Sequence, residues 1–338
     1  MLNIGVIGYG YWGPNLVRNF SESGVAQVTA VSDMNPERLQ LVKKRYPATR
    51  TTIDHRDLLT SNHIQAVAIA TPVHTHFTLA MEALKAGKHV FLEKPLTETT
   101  DQARQLIDEA DKRGLILMVD HTFIFTGAVR KMRQLVESGE IGDIYYYDSV
   151  RVNLGLFQPD INVIWDLAVH DLAIMNYVFD QKPVAVSATG MSHVPGKPAD
   201  IAYLSLFFEN NMMGHVHINW LSPVKLRRSM IAGSRKMVVY DDLEPSEKIK
   251  IYDKGITITE RQALYDHLVG YRVGDMVAPQ LENHEALNLE ARYFADCIGK
   301  GEQPANNGQA GLEVVEILEA ATRSMQEKGC TIELNAGS

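Results

Sequence analysis

Cysteine is almost missing from this chain: 338 residues contain two, Cys297 and Cys330. They lie far apart and near the C-terminus, which excludes a disulfide framework and any metal-ligand spacing and suits a reducing compartment. Long apolar runs are lacking too. No stretch approaches the roughly 18 residues that a membrane helix needs, so no membrane association is expected. A basic excess is absent: the formal charge is −8, and gripping nucleic acid takes a net basic face, so no nucleic-acid partner is expected. The start of the chain has no basic segment or small-residue cleavage site, because Met1–Ile7 runs straight into a glycine turn; a cytoplasmic protein is expected. Repeats and low-complexity segments are absent. Gly-x-Ser-x-Gly and a Ser-His-Asp order are also lacking, which leaves nucleophilic hydrolysis without support.

What is present is a globular composition, 45% apolar and 22% charged, in a chain too long for one ordinary core. Two domains are expected. Over residues 1–120, strand and helix patterns alternate. Strands are expected at Asn3–Ile7, Gln27–Ser32, Ile64–Ala70, His89–Glu93 and Leu115–Val119. Between them lie an apolar helical face at Trp12, Leu16, Val17 and Phe20, a helix opened by Pro36, and helices closed by Gly87 and Gly114. That order implies parallel pairing in a doubly wound α/β sheet. Over 121–338 a helix at 127–138 gives way to strands at Ile144–Val152, Val184–Thr189, Ala202–Phe208, Met213–Trp220, Ser229–Tyr240 and Lys248–Glu260. Glu209-Asn210-Asn211 reads as a hairpin turn. Helices are expected near Trp165–Phe179, 284–299 and 309–327, giving an α+β domain with a large, mainly antiparallel sheet.

The chemistry begins at Gly8-Tyr9-Gly10-Tyr11-Trp12-Gly13, a G-x-G-x-x-G directly after a strand and opening a helix. Gly8 permits the tight turn, Gly10 lets a pyrophosphate approach the backbone, and Gly13 lets helix and strand pack closely. Asp33 ends the second strand, where a carboxylate accepts hydrogen bonds from ribose hydroxyls and repels a 2′-phosphate. No arginine immediately follows it, so NAD is favoured over NADP. Glu93-Lys94-Pro95 ends the strand expected at His89–Glu93, at the sheet's carboxyl edge; the Lys94 ammonium there can stabilise a developing alkoxide, although a plain surface lysine fits the local sequence equally well. Asp166 and His170 are four apart in a helix and share a face. An imidazole ordinarily titrates near neutrality, so His170 can take a hydroxyl proton while Asp166 orients the ring; a structural pair is the alternative. Asp171 points about 100° away and ranks below Asp166. His74-Thr75-His76 and His215-Val216-His217 lack a third ligand, so no metal is expected. The basic residues Lys225, Arg227, Arg228, Arg235 and Lys236, with Arg151 and Asn153 ending another strand, are either a solvated surface or a grip on a substrate phosphate.

Together these features resemble the glucose–fructose oxidoreductase, inositol dehydrogenase and rhizopine-catabolism (Gfo/Idh/MocA) family over nearly the whole chain. The resemblance rests on the glycine turn, Asp33, the A-T-P-V-H-T-H of 70–76, S-G-E-I-G at 138–142, D-L-A-V-H-D at 166–171 and, most specifically, A-G-K-H-V-F-L-E-K-P-L at 86–96. It implies an NAD-dependent oxidoreductase acting on a sugar hydroxyl, with Lys94, Asp166 and His170 at the carbinol and Thr71, Pro72, His76 and Glu93 beside the cofactor. Val73 stands where the family often has asparagine. The resemblance further implies a homodimer or homotetramer formed through the open sheet face. The G-Y-G-Y-W-G-P-N and T-P-V-H-T-H stretches are similar to the branch acting on nucleotide sugars, such as C3 of UDP-N-acetylglucosamine or its uronate, with Arg151, Asn153 and Arg228 lining the substrate cleft. A free polyol or aldose such as myo-inositol, or a non-catalytic NAD or sugar sensor, are the alternatives.

Overall fold

The computed structural model describes residues 1–155, 161–260 and 267–334. They form two compact units. Unit 1 comprises Met1–Thr126 with His284–Glu316, and unit 2 comprises Gly127–Asn283 with Ile317–Ser338. The single boundary expected at residue 120 is therefore replaced by a chain that leaves unit 1 after Thr126, returns at His284 and leaves again after Glu316.

Unit 1 runs β1 (Leu2–Ile7), α1 (Gly13–Glu22), β2 (Ala26–Ser32), α2 (Pro36–Arg45), β3 (Arg50–Thr52), α3 (Arg56–Leu59), β4 (Ala66–Ile69), α4 (His76–Lys85), β5 (His89–Leu92), α5 (Thr100–Arg113) and β6 (Leu117–Val119). The strands form one parallel sheet in the order β3-β2-β1-β4-β5-β6. The order reverses between β1 and β4, the switch point where such sheets bind ligands at their carboxyl ends. Every residue of β4 is buried, as a strand covered on both faces requires. Local signals set the helix ends: Asn35 caps α2 ahead of Pro36, Thr99 caps α5, and Gly114 closes α5 in the left-handed conformation. Strand β3, only three residues long, was not expected.

The later segment belongs here for packing reasons. In α8 (Ala286–Lys300), Phe294 meets Phe91 edge to face at 5.5 Å, and Phe91 meets Phe20 likewise at 5.4 Å. Asn306 Nδ2 donates to the Val119 carbonyl at 2.6 Å.

Unit 2 contains α6 (Gly127–Glu137), β7 (Ile144–Leu154), a π-helical turn over Ile164–Ala168 leading into α7 (Val169–Val178), then β8 (Ala185–Met191), β9 (Ile201–Phe207), β10 (Met213–Asn219), β11 (Leu221–Gly233), β12 (Met237–Asp241), β13 (Ile249–Glu260) and β14 (His267–Val277). The chain ends with α9 (Gly308–Gln326) and β15 (Ile332–Glu333). These strands build a nine-stranded sheet in the order β14-β13-β12-β11-β7-β10-β9-β8-β15, in which β7 and β10 pair parallel and the other described pairs are antiparallel. The fold class is thus α/β, a Rossmann sheet plus a mixed α+β domain. One face of the large sheet is covered by helix: Tyr147 meets Phe179 at 5.8 Å, and Trp165 Nε1 donates to Thr322 Oγ1. The other face is open, and β10 alternates buried Gly214, Val216 and Ile218 with part-exposed His215 and His217.

Two sequence expectations change. The single strand at Ser229–Tyr240 is two, because the chain turns at Ser234–Lys236, with Gly233 N bonded to the Lys236 carbonyl at 3.0 Å. Strand β11 also starts much earlier, at Leu221, tolerating Pro223 through a register shift between Leu221 and Leu226. Strands β14 and β15 lacked any sequence signal that was used.

Candidate active site

The glycine turn of unit 1 shows three different reasons for glycine. Gly8 has φ +94°, and a Cβ there would lie 2.4 Å from the Ala70 carbonyl oxygen. A Cβ on Gly13 would lie 2.3 Å from the Gly8 oxygen. Both are demanded by the protein's own packing. At Gly10 a Cβ meets nothing closer than Arg38 Nη1 at 3.6 Å, so glycine there preserves open space over the backbone. Helix α1 begins at Gly13 with no acidic residue in its first turn and no side-chain cap; Pro14 has no N–H and Asn15 N donates to the Trp12 carbonyl at 2.9 Å, so of its first three residues Gly13 alone can offer an N–H to an anion. Asp33 is buried and accepts from Tyr9 N at 2.7 Å and Asn35 N at 2.8 Å. Arg38 Nη1 stands 3.4 Å from the same carboxylate. The residues therefore fit a dinucleotide: a cradle that a side chain would fill, an uncapped helix start and a carboxylate with acceptor capacity left. Tyr11 is almost fully exposed above the turn, whereas Trp12 turns inward to donate its Nε1 to Asp120 Oδ2 at 2.9 Å.

Next along the sheet edge, Thr71 and Pro72 follow β4. His76 was expected beside the cofactor, but the structure buries it between two backbone carbonyls, Thr71 O and Pro95 O, each 2.9 Å from a ring nitrogen. It ties the Thr71 turn to the Lys94 turn rather than presenting a free imidazole. Burial pushes its pKa down against the pull of those carbonyls. Lys94 follows β5, half-buried, and its backbone N–H donates to Glu93 Oε2 at 3.1 Å. Glu93 is buried; burial and then neighbouring Asp120 hold its carboxyl well above the usual range, while Lys94 pulls the other way.

The residues expected on the substrate side, Lys94 apart, lie in unit 2. Asp166 sits in the π turn and accepts from Trp220 Nε1 at 3.1 Å; His170 follows in the first turn of α7, and both are half-exposed. Asn153 lies near Trp220: a Cβ on Gly155 would stand 2.6 Å from Trp220 Cδ1 and 3.2 Å from Asn153 Nδ2. Arg151 does not present itself. It is 3% exposed and its Nε and Nη2 fork onto Asp171 at 2.6 and 3.2 Å. Asp171, ranked low from ideal helix angles, is a buried anchor that also accepts from Ser149 Oγ at 2.7 Å; the π turn just ahead inserts a residue into the helical register. Arg228 is on the wrong face. It pairs with Val150 across the strands, whereas Arg227 pairs with Arg151, and strand neighbours point oppositely. Arg228 bonds Asp241 on the open face, and Arg227 meets Asp242 at 3.3 Å on the covered face. Lys236 pairs with Glu140 in the β11–β12 turn, so the basic residues form no single patch.

Sequence reasoning missed Arg38, Asp120, His121, Trp220 and Glu290, and took Arg227 only as one of a basic group. Asp120 and His121 had an available signal, since they end a parallel strand at the carboxyl edge. Among the described residues no group of three or more His, Cys, Asp or Glu is arranged to hold a metal ion, and no helix is long and apolar enough to cross a membrane.

This geometry defines an NAD-binding Rossmann oxidoreductase. Residues 2–121 match the family model described as oxidoreductase family, NAD-binding Rossmann fold, and residues 129–239 match the GFO/IDH/MocA C-terminal domain. The chain belongs to the Gfo/Idh/MocA family. It is 29% identical over 307 residues to UDP-N-acetylglucosamine 3-dehydrogenase of Acidithiobacillus ferrooxidans, covering 88% of this chain and 92% of that one. A solved structure of that enzyme superposes with a TM-score of 0.79 over 96% of this chain and 98% of that one, at 27% identity. Myo-inositol 2-dehydrogenase of Thermotoga maritima is 25% identical over 350 residues, covering 97% of each. An oxidoreductase of Agrobacterium radiobacter solved with NAD+, L-tartaric acid and magnesium shares the fold, with a TM-score of 0.83 at 19% identity over 99% of both chains.

Proposed function

We propose that this protein is an NAD-dependent dehydrogenase oxidising a secondary hydroxyl of a sugar, with C3 of a UDP-N-acetylhexosamine or its uronate as the substrate position. The observation that carries the dehydrogenase reading is Lys94, held at the carboxyl end of β5 on the same sheet edge as the open Gly10 turn. A bound nicotinamide supplies the hydride acceptor. Lys94 holds the reacting oxygen and stabilises its negative charge as the carbonyl forms. His170 takes the hydroxyl proton, so that C–H and O–H bonds are replaced by C=O, a reduced nicotinamide and an imidazolium. Asp166, fixed by Trp220, orients the ring and offsets its charge. The reading requires the two units to contribute to one reaction.

Support for the nucleotide sugar is the A. ferrooxidans relative, together with Arg227 and Asn153 on the covered face. One observation favours a free polyol or aldose instead: of the two arginines expected to read the diphosphate, Arg151 is committed to Asp171 and Arg228 lies on the open face. A homodimer or homotetramer is also part of the reading, because Tyr203, Phe207, Met213 and Leu226 expose apolar surface on that open face. NADH formation, followed by absorbance over UDP-sugars, inositols and aldoses, tests the whole. Turnover on a UDP-N-acetylhexosamine is expected, and Lys94→Ala and His170→Ala should each lower kcat by about 10²–10⁴-fold while NAD+ still binds. Undiminished turnover in both variants contradicts the assignment, and turnover on inositols alone moves the substrate to the second reading.

A further inference from the structure

At one end of the large sheet, four strand ends stand in a row. Met191 of β8 pairs with Ile201 of β9, Ile201 with Asn219 of β10, and Asn219 with Val152 of β7. One residue further on, the same registers set Asp200 beside Trp220 and Trp220 beside Asn153. The Trp220 N–H donates to the Asp200 carbonyl at 2.9 Å, as the continued ladder requires. Ala202, Leu204 and Leu206 of β9, with Val216 and Ile218 of β10, are buried on the covered face, and Asp200 and Trp220 follow in the same alternation. Asp200 thus stands on the face where Trp220 holds Asp166. Loop 192–200 is fastened there too, because Val163, just ahead of the π turn, donates its N–H to the Ala199 carbonyl at 2.9 Å.

Asp200 is 0% exposed, and one residue engages both of its oxygens. Oδ2 accepts the His193 N–H at 2.7 Å, and Oδ1 lies 2.8 Å from His193 Nδ1. An ionised carboxylate only accepts, so Nδ1 carries a proton and Nε2 is left as the outward nitrogen of a side chain 52% exposed. Closing the loop needs only an acceptor for the His193 N–H, which an asparagine supplies without burying a charge. The carboxylate does what an amide does not: it fixes the tautomer and aim of the ring and balances an imidazolium. Lys197, exposed in the same loop, makes the surroundings more positive.

We infer that His193, aimed by Asp200, binds an acidic group of the substrate, a phosphate or a uronate carboxylate, through Nε2–H. This rests on the nucleotide-sugar reading above and fills a gap in it, since Arg151 is committed to Asp171 and Arg228 lies on the open face. The pair stands one to two strand spacings from Trp220, about 5–10 Å. That is farther along the substrate than the hydroxyl assigned to Asp166 and His170, where a nucleotide sugar carries its charge. His193 touches substrate, and Asp200 is a positioning residue acting through it.

The test is steady-state NADH formation by the intact protein with UDP-N-acetylglucosamine and with its uronate. Four forms are compared: wild type, His193→Gln, Asp200→Asn, and the two substitutions together. Loss of one charge-assisted hydrogen bond should raise KM about tenfold in His193→Gln while kcat stays within about twofold. Asp200→Asn should raise KM as well, and the double variant should be no worse than His193→Gln, because Asp200 acts through the ring. A rise with both substrates assigns the contact to the phosphates; a rise confined to the uronate assigns it to the carboxylate. An unchanged KM for both substrates in His193→Gln overturns the inference. So does a fall in kcat alone, the mark of a loop that only props Trp220 and Asp166, and so do KM losses that multiply in the double variant. Should Asp200→Asn fail to fold, His193→Gln on the exposed loop decides by itself. Wild type that turns over neither substrate overturns the nucleotide-sugar reading, and this inference with it, and is seen without any variant.

Discussion

In unit 1 the ligand-facing shape is made by backbone: a left-handed Gly8, an open Gly10, an uncapped helix start and a strand-end carboxylate. In unit 2 the candidate residues are side chains from different strands and a distorted helix start, with Trp220 bonded to Asp166 and crowding Gly155 together with Asn153. Backbone shape is fixed by a few residues close in sequence. Side-chain assembly depends on register, where one residue decides which face of a sheet is reached. On the proposed reading, the dinucleotide is held by the local device and the sugar by the adjustable one.

Substitutions can break this comparison, and the largest expected effect after loss of Lys94 or His170 is structural. Arg151→Met strands the Asp171 carboxylate in the covered face of the sheet and should destabilise the protein by about 3–5 kcal/mol in urea unfolding. A loss under about 1 kcal/mol would mean that the fork is not what holds α7 to β7. The second test concerns pH. His121 in the folded protein titrates near 4 instead of its ordinary 6.5, so the unfolded state binds the extra proton between those values. Its contribution is neutral above pH 6.5, and stability falls as pH drops from 6.5 to 4 by about 3 kcal/mol. Glu93 and Glu290, with raised values, act in the opposite direction, losing stability as pH rises above about 4.5. Subtracting the pH profile of His121→Asn isolates the imidazole; a flat difference across that window would contradict its neutral burial.

Smaller effects separate the glycines. Gly10→Ala should keep its unfolding free energy within about 0.5 kcal/mol while NAD+ affinity falls about tenfold or more, since its methyl fills only ligand space. Gly13→Ala should lose stability as well, because its methyl collides with the Gly8 carbonyl. Equal behaviour in the two would erase the distinction between packing and ligand glycines. Smallest of all, Arg228→Met should change stability by less than about 0.5 kcal/mol and leave KM unchanged, whereas Arg227→Met should raise KM for a nucleotide sugar.

Legibility in the sequence followed the same line. The parallel sheet could be read from β4, whose uninterrupted apolar run admits no other placement, and from Pro36 and Gly114, which mark helix ends. Gly8 and Gly13 stand in one turn, and Asp33 follows the strand paired beside it, so the order strand–turn–helix–strand implies their contact. The reading of unit 2 failed where long-range geometry intervenes. Arg227 and Arg228 are indistinguishable in composition, and only the pairing with Arg151 and Val150 assigns their faces. The fork from Arg151 onto Asp171 joins residues twenty apart on a strand and a helix, and the π turn ahead of that helix has no simple sequence mark. The return of 284–316 to unit 1 depends on Phe294 meeting Phe91, a contact about two hundred residues apart in sequence.

The most direct measurement is a double-mutant cycle on kcat with Lys94→Ala, His170→Ala and the combined variant, using the best substrate of the panel. If one ammonium in unit 1 and one imidazole in unit 2 serve the same bond-breaking step, the combined variant should be hardly slower than the worse single variant. Losses that multiply, or a single variant with full turnover, would show that the two residues do not share a reaction.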